Sequence, residues 1–425
     1  MKEIYFKNIV DIKKILLQEN IFNDKIAQEV EAIIDEVKQK KDEALLKFTE
    51  KFDGVKLTLK EIKVSEKEKI QALKNIDKKI FKSIILAKKN IEKFHKKNII
   101  KSWTSKQNGI LLGQKITPIE NVGIYVPGGI SGKTPLVSSI LMAAIPAKIA
   151  GVKNIIMCTP PQENKTINSY LIATAELIGI KDIYKIGGAH AISAMALGTK
   201  IVPKMDKIVG PGNLYVTLAK KYFYGIVDID SIAGPSELLI LADETASPKF
   251  IAADLLAQAE HQKNSKVILI TTSKELISAV KIEIKIQLKL LKRKEEIESS
   301  LKNGLIILVD KINTAIFLIN EIAPEHLSLM VKDNNKILCE IKNAGAIFIG
   351  AYSPVALGDY FAGPNHILPT SSTSKFFSGL NTNDFLKITN IIFYSQKSVS
   401  FAKKHLSQIA LLEGLDGHAR SVEIR

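Results

Sequence analysis

Four short segments in the second half of the chain pair a histidine with a carboxylate or an amide. The pairs are Gln258 with His261, Glu325 with His326, Asp359 with His366, and Glu413 with His418. Imidazole titrates near neutral pH, so it can accept or donate a proton, and in its neutral form it binds metal ions. Each pair alone also has an ordinary structural explanation, so the residues predict chemistry only if the fold brings them together.

Gln258 and His261 lie in a segment that we predict to be a helix over residues 248–262, with Ser247 as N-cap and Pro248 as its first residue. A spacing of three residues puts both side chains on one helix face, with Cβ atoms roughly 5–6 Å apart. That separation suits two ligands of one metal ion. The alternative is an exposed glutamine beside a histidine that stabilises the helix C-terminus.

The other three pairs occupy different local settings. Glu325-His326 follows a proline and precedes an apolar run, and the alternative for this pair is a surface turn. Glycine and proline separate Asp359 from His366, which predicts a loop. Glu413 and His418 lie in the polar tail EGLDGHARSVEIR, which should fray on composition alone. These two residues can act only if the tail packs on a folded surface.

Two glycine-rich turns could bind phosphate groups. PGGISGKT (127–134) resembles a P-loop, and LLILADE (238–244) resembles the acidic strand that completes such sites. Pro127 replaces the first glycine, and proline lacks an N–H for a phosphate, so a plain strand-to-helix turn is favoured and an NTPase remains the alternative. The second turn, Gly210-Pro211-Gly212-Asn213, precedes a predicted helix and weakly indicates a dinucleotide site.

The elements around these residues alternate between apolar β-like runs and helices from about residue 120 onward. Two such blocks follow each other, which predicts an α/β protein with two Rossmann-like parallel-sheet α/β units and small helical N- and C-terminal extensions. An amphipathic helix is predicted over 23–52, capped by Asn23 or Asp24 and ended by Gly54, and a lysine-rich helical region over about 65–98. The chain from about 380 also has a helical pattern.

Composition limits the class of protein further. The 425 residues are 46% hydrophobic and carry a formal net charge of +16, but the lysines are spread over helices without an aromatic-interleaved stripe, so nucleic-acid binding is not expected. No uninterrupted apolar run is long enough to span a membrane, and the N-terminal residues show no secretory h-region. Cys158 and Cys339 form no paired motif and are expected to be buried and reduced. We therefore expect a cytoplasmic protein.

The motifs together resemble those of histidinol dehydrogenases. GIYVPGG, GPGN, DSIAGPSE, LLAQAEH, APEHL, GDYFAGPNH and EGLDGHA occur in the order seen in that family, from about residue 25 to the C-terminus. The resemblance implies a zinc-dependent, NAD-linked homodimer that oxidises L-histidinol to L-histidine through L-histidinal, which is the last step of histidine biosynthesis.

The resemblance also implies roles for individual residues. Catalytic acid–base chemistry falls to Glu325 and His326. Zinc, one ion per subunit, falls to Gln258, His261, Asp359 and His418. Substrate contacts fall to Ser236, Gln258, His261, His326, Asp359, His366, Glu413 and His418. NAD contacts fall to Tyr125, Asn213 and position 190, where the family commonly has glutamine and this chain has His190. An imidazole lacks the donor–acceptor pair of an amide, so position 190 departs from the family pattern of hydrogen bonding.

The predicted domain organisation follows the same resemblance. Residues 1–22 form an N-terminal extension. Residues 23–119 and 237–378 form a first, discontinuous α/β domain that carries zinc-site residues. Residues 120–236 form a second α/β domain that binds NAD. Residues 379–425 form a helical tail that crosses to the partner subunit.

Overall fold

The computed structural model describes residues 1–6, 24–128 and 134–425. Over these ranges the strands are β1 (Lys2–Tyr5), β2 (Trp103–Gln107), β3 (Ile110–Pro118), β4 (Asn121–Tyr125), β5 (Asn154–Thr159), β6 (Asp182–Lys185), β7 (Lys207–Val209), β8 (Asp228–Ile229), β9 (Glu237–Ala242), β10 (Lys266–Thr271), β11 (Leu305–Leu308), β12 (His326–Met330), β13 (Ala346–Ile349) and β14 (Leu386–Tyr394). The helices are α1 (Asp24–Lys40), α2 (Asp42–Asp53), α3 (Glu66–Lys74), α4 (Lys78–His95), α5 (Val137–Ala150), α6 (Ser169–Ile178), α7 (Gly188–Leu197), α8 (Leu214–Phe223), α9 (Pro248–Ala259), α10 (Lys274–Leu288), α11 (Lys294–Asn303), α12 (Ile312–Ile322), α13 (Asn334–Glu340), α14 (Val355–Tyr360), α15 (Gln396–Leu412) and α16 (Asp416–Glu423).

Two parallel sheets confirm the predicted pair of α/β units. One has the strand order β6-β5-β4-β7-β8, and the other has the order β1-β11-β10-β9-β12-β13. If strands are counted along the chain within each unit, both contain the order 3-2-1-4-5, with β4 and β9 as their first strands. Successive strands are first added on one side of the first strand and then on its other side. The strand order therefore reverses between β4 and β7 in one unit and between β9 and β12 in the other. Such a reversal is where Rossmann-like folds open a crevice.

Helices cover both faces of each parallel sheet, which explains the continuous apolar sequence of the central strands. Every residue of β9, ELLILA, is buried. On the β4 sheet, α5 and α6 pack against one face, and α7 and α8 against the other. The long helices near the N-terminus extend these same two layers: α3 and α4 join the first, and α1 and α2 join the second.

This packing differs from the predicted grouping of residues 23–119 with 237–378. The apolar face of α1, Val30, Ile33, Ile34 and Val37, is buried against the unit that contains β4. Residues 2–5, predicted as part of a small helical extension, instead form an edge strand beside β11. Residues 7–22 of the predicted extension lie outside the described part of the chain. An apolar helix face does not encode which sheet it will cover, so the sequence alone could not assign it.

Several predicted helices are shorter than expected. The helix predicted over 23–52 is divided at Lys41, whose φ of 49° lies in the left-handed region. Its predicted stop is confirmed, because Gly54 follows α2 with φ 69°. The lysine-rich region contains α3 and α4. The helix predicted over 248–262 ends at Ala259, so His261 lies beyond it.

A third, antiparallel sheet was not predicted. β3 pairs with β2 and with β14, so residues 386–394 are a strand where a helical pattern had been expected. Every residue of β2 is exposed, and so are most residues of β14. These strands therefore lack the alternation of buried and exposed residues from which a strand is predicted. Helices α15 and α16 follow β14, so the C-terminal residues are folded rather than frayed.

Three further expectations can be compared with the described residues. The two halves of the P-loop alternative lie in different sheets, since Pro127 follows β4 whereas LLILADE begins in β9, and Gly129–Lys133 lie outside the described ranges. Cys158 is buried as expected, but Cys339 is exposed. Across the described residues, no helix is long and apolar enough to cross a membrane.

Candidate active site

A hydrogen-bonded cluster forms at the amino ends of the neighbouring strands β9 and β12. Ser236 immediately precedes β9, and His326 is the first residue of β12. The Ser236 hydroxyl donates to Glu325 Oε2 at 2.8 Å, and the Glu237 backbone N–H donates to the same oxygen at 2.7 Å. Glu325 is only 6% exposed, so these two donors compensate the burial of its carboxylate.

His326 is held by the same strands. Its Nδ1 donates to the backbone carbonyl of Glu237 at 3.0 Å, and it lies 3.5 Å from Glu325 Oε2. A proton on Nδ1 leaves Nε2 as the nitrogen that can take up or release a proton, and Nε2 lies 3.9 Å from Asp359 Oδ1. Burial alone would lower the pKa of His326, but the Glu325 carboxylate, followed by Asp359, raises it to about 9.

Asp359 and His366 come to the cluster from the segment after β13. Asp359 belongs to the short helix α14, and its backbone carbonyl accepts a hydrogen bond from His366 Nδ1 at 2.9 Å. Burial lowers the pKa of His366. The neighbouring Asn365 donates to the carbonyl of Met142 in α5, so this loop bridges the two α/β units.

The cluster opens on a cavity of about 750 Å³ between the two units. His326 and His366 line it from one unit, and Phe94, His95 and Asn98 line it from the end of α4. Sequence reasoning missed His95, whose ring is fully buried and whose nitrogens have no hydrogen-bond partner among the described residues. Burial lowers the pKa of His95 to about 4. The only signal in the sequence was one histidine at the end of a lysine-rich helix.

Glu260, the residue that follows α9, lies near Tyr360, the neighbour of Asp359. The charge of Asp359 and that of Glu260 both raise the pKa of Tyr360, after the larger effect of burial. Gln258, on the last turn of α9, is 2% exposed, and its amide nitrogen has no hydrogen-bond partner in the described structure. His261 is exposed and lies past the helix end, with its N–H donating to the Gln258 carbonyl at 3.3 Å. The alternative of an exposed glutamine is therefore wrong.

Glu413 and His418 are located elsewhere on the chain. They line a second cavity, of about 650 Å³, formed by β3, β14 and the C-terminal helices. Over the residues that the structure describes, no group of three or more histidine, cysteine, aspartate and glutamate side chains could hold a metal ion. Within a single chain, His418 therefore lies in this second cavity, apart from the other residues of the implied zinc set, Gln258, His261 and Asp359.

The implied NAD residues lie at the carboxyl ends of strands in the other unit. Tyr125 ends β4, and its phenol oxygen accepts from the N–H of Gly188 at 3.0 Å. Asn213 follows β7 and caps α8, where its side-chain oxygen accepts from the N–H of Val216 at 3.1 Å. β4 and β7 flank the point at which strand order reverses. Tyr125, whose side chain is only 5% exposed, and Asn213 therefore lie at the position in the sheet where Rossmann-like units bind dinucleotides.

His190 is not presented to that crevice. Its side chain is 1% exposed and lies beside Phe48 and Phe52, with ring centroids 5.8 Å and 6.1 Å away. Nε2 lies 3.4 Å from the hydroxyl of Thr49. Burial lowers the pKa of His190 to about 3, which keeps the ring neutral. A direct contact between this ring and NAD stays a prediction.

Fold and site together define a class of protein. The chain is an α/β protein with two Rossmann-like units, a buried pair of Glu325 and His326, and a cavity between the units. Such a pair can move protons at a bound substrate, and the crevice beside β4 is of the kind that holds a dinucleotide.

Comparisons with known proteins give the family. The model of the histidinol dehydrogenase family matches residues 17–425. The chain is 50% identical over 424 residues to the histidinol dehydrogenase of Caldanaerobacter subterraneus subsp. tengcongensis, covering 99% of this chain and 98% of that protein. It is 48% identical to the histidinol dehydrogenase of Clostridium acetobutylicum over 405 residues, covering 95% and 93%. The crystal structure of histidinol dehydrogenase from Elizabethkingia anophelis superposes with a TM-score of 0.95 at 38% identity, covering 100% of this chain and 97% of that one. The chain belongs to the histidinol dehydrogenase family and is an oxidoreductase. Nothing in these comparisons supports the NTPase alternative.

Proposed function

We propose that the protein catalyses the zinc-dependent, NAD-linked oxidation of L-histidinol to L-histidine through L-histidinal. The observation that carries this proposal is the buried Ser236–Glu325–His326 cluster in a member of the histidinol dehydrogenase family. Its His326 lies beside Asp359 and lines one cavity together with His366. A cytoplasmic location and the absence of nucleic-acid partners stay predictions from the sequence.

His326 is the candidate for the proton acceptor in both oxidations. The bond from Nδ1 to the Glu237 carbonyl fixes the ring and directs Nε2 away from the strand. When the substrate alcohol lies in the cavity and the ring is neutral, Nε2 takes the alcohol proton as hydride leaves the carbon. Because the pKa of His326 is raised to about 9, the neutral ring becomes more populated as pH rises toward that value. NAD, when bound, supplies the hydride acceptor, because the sequence shows no flavin or redox-metal motif.

Glu325 is the candidate for the base that activates water between the two oxidations. Water must add to the aldehyde before a second hydride can leave, and a carboxylate can take a proton from that water. Two hydrogen-bond donors hold Glu325, which fixes its position against Ser236 and His326. His326 serves again as base when the hydrated aldehyde is oxidised.

The residues present fit a zinc ion if two chains contribute to each site. A set of glutamine, aspartate and two histidines is a mixed nitrogen and oxygen set that suits zinc. Gln258, His261 and Asp359 would come from one chain and His418 from a second copy. Zinc, when bound, would hold the amine and imidazole of the substrate without taking part in the redox step.

The C-terminal tail supports a homodimer. Phe401 and Leu412 on α15 are 81% and 87% exposed, and Ile392 on β14 is 72% exposed. A cluster of large exposed apolar side chains is typical of a protein–protein interface. Glu413 and His418 line the second cavity in this same tail. In a two-fold dimer the tails can be exchanged reciprocally, and each would complete the partner's active site.

Reduction of NAD in the presence of L-histidinol tests this proposal. The protein should reduce NAD with histidinol, lose activity in a chelator and regain it when zinc is added. A protein that binds ATP with Mg²⁺ and shows no histidinol-dependent NAD reduction would contradict the proposal.

A further inference from the structure

A buried ion pair holds the turn that follows β7. Lys220 on α8 and Asp230 after β8 form the pair, and their side chains are 4% and 3% exposed. Lys220 Nζ also donates to the carbonyl of Gly210 at 3.0 Å, and the N–H of Gly210 donates to Asp230 Oδ2 at 2.8 Å. The pair therefore binds the turn through both the donor and the acceptor of Gly210.

On its other side the turn lies against β4. Gly210 has a φ of +123°, and a Cβ atom at this position would lie 2.1 Å from the carbonyl oxygen of Tyr125. Only glycine allows this approach, so the turn cannot shift toward Tyr125. The backbone of β4 and the ion pair thus clamp Gly210 from opposite sides, at the point where the strand order of this unit reverses.

Burying two charges is costly, and apolar residues of similar volume often serve stability as well or better. Both charged side chains of this pair instead form hydrogen bonds with the backbone of the turn and of the residues near it. Asp230 Oδ1, the oxygen paired with Lys220, also accepts from the N–H of Ser231 at 2.8 Å. The turn leads directly to Asn213 and to the N-terminus of α8, which borders the crevice beside Tyr125.

We propose that Lys220 and Asp230 are positioning residues for the dinucleotide site, and that they set the affinity for NAD through Gly210 without touching the dinucleotide. The inference rests on the proposed use of NAD. It predicts that disturbing the pair weakens NAD binding and leaves the binding of histidinol and zinc at the other unit unchanged.

Lys220→Met is the test variant because methionine keeps most of the apolar stem and removes the charge. Lys207→Met is the matched control. Lys207 is also buried and forms an ion pair, with Asp228 at 2.6 Å, but it lies at the start of β7 and bonds to Asp228 rather than to Gly210. Thermal unfolding of both variants measures the cost in stability, so that a general loss of stability can be separated from a loss of NAD affinity.

The readout is NAD titration of the zinc-loaded protein by calorimetry, together with steady-state kinetics. Lys220→Met should raise the dissociation constant and KM for NAD by about tenfold or more, with kcat at saturating NAD within about threefold of the wild type. KM for histidinol and zinc content should stay within about twofold. Lys207→Met should leave all of these values close to the wild type.

Equal NAD affinity in Lys220→Met and Lys207→Met would overturn the inference while leaving the proposed function intact. A wild-type protein that binds no NAD would overturn both. If Lys220→Met does not fold, Gly210→Ala displaces the same turn without removing a charge, and Asp230→Asn removes the charge with little change of shape. Both should raise KM for NAD, and unchanged KM values in both would reject the role of the pair.

Discussion

Replacement of Glu325 by glutamine should separate the two oxidations. The Glu325 carboxylate accepts from the Ser236 hydroxyl at 2.8 Å and from the Glu237 N–H at 2.7 Å. The amide oxygen of glutamine has nearly the same shape and can still accept both bonds, so the positions of Ser236 and His326 should be kept. The amide cannot take a proton from water, which the proposed mechanism requires only after the aldehyde has formed.

The two expected effects differ in size. Loss of charge assistance should weaken each of the two hydrogen bonds by about 1 kcal/mol, which corresponds to roughly ten- to thirtyfold in rate. The same loss of charge lowers the pKa of His326, and this change affects both oxidations alike because His326 is the proposed base in each. Loss of a general base costs about 10²- to 10⁴-fold in the step that uses it. The ratio of aldehyde to alcohol oxidation should therefore fall by about tenfold or more in Glu325→Gln.

The assay supplies L-histidinol and L-histidinal separately and follows NADH formation in single turnovers. His326→Ala is the comparison, because loss of the proposed common base should slow both half-reactions severely. Equal impairment of the two half-reactions by Glu325→Gln would refute the assignment of water activation to Glu325. A larger decrease in the rate of alcohol oxidation than of aldehyde oxidation in Glu325→Gln would reverse the roles assigned to Glu325 and His326.

Four further predictions follow from the site and from the packing around it. His261→Asn should lower both zinc content, measured by atomic absorption, and activity, and full zinc occupancy with normal turnover would remove His261 from the metal site. Co-expression of His261→Asn with His418→Asn should restore up to about half of the native activity per heterodimer, since crossed tails leave one intact site, whereas heterodimers without activity would place each tail in its own subunit's site. Burial raises the pKa of Asp53 to about 6, so the charge of Asp53 destabilises the fold increasingly as pH rises from the usual aspartate range through 6. Asp53→Asn should therefore raise the melting temperature more at pH 8 than at pH 5. Glu50 is an exposed carboxylate on the same helix, and Glu50→Gln should not show this difference between the two pH values. Lys133→Ala should keep histidinol-dependent NAD reduction within about tenfold, and a thousandfold loss would revive a phosphate-binding role for that turn.

Local sequence patterns were enough to predict most of the α/β framework. Runs such as NIIMCT and KVILIT are apolar at every position between their polar first and last residues because helices cover both faces of their strands, and this makes them recognisable. The edge strand β1 could not be foreseen, since its place beside β11 depends on a partner some 300 residues away, and none of its residues is fully buried. The same holds for the antiparallel sheet, because β2 is exposed throughout and β14 is largely exposed, so neither strand has a buried side.

Most members of the candidate site could be predicted from the sequence, but its geometry and the contribution of His95 could not. The motifs singled out Glu325 and His326, yet the bond between Ser236 and Glu325 joins residues 89 positions apart and depends on the pairing of β9 with β12. Topology was informative in one unit only. Tyr125 and Asn213 lie at the carboxyl ends of β4 and β7, where Rossmann-like folds bind ligands, whereas the Ser236–Glu325–His326 cluster lies at the amino ends of β9 and β12. His190 differs from the family pattern, and only the packing with Phe48 and Phe52 reveals where its ring lies.

The stoichiometry of NAD reduction tests the central claim most directly. A limiting amount of L-histidinol is incubated with the zinc-loaded protein and excess NAD, and NADH and the organic products are quantified at completion. A four-electron oxidation yields two molecules of NADH and one molecule of L-histidine for each molecule of L-histidinol, without accumulation of L-histidinal. One NADH per histidinol with histidinal as the final product, or no NADH at all, would contradict the account.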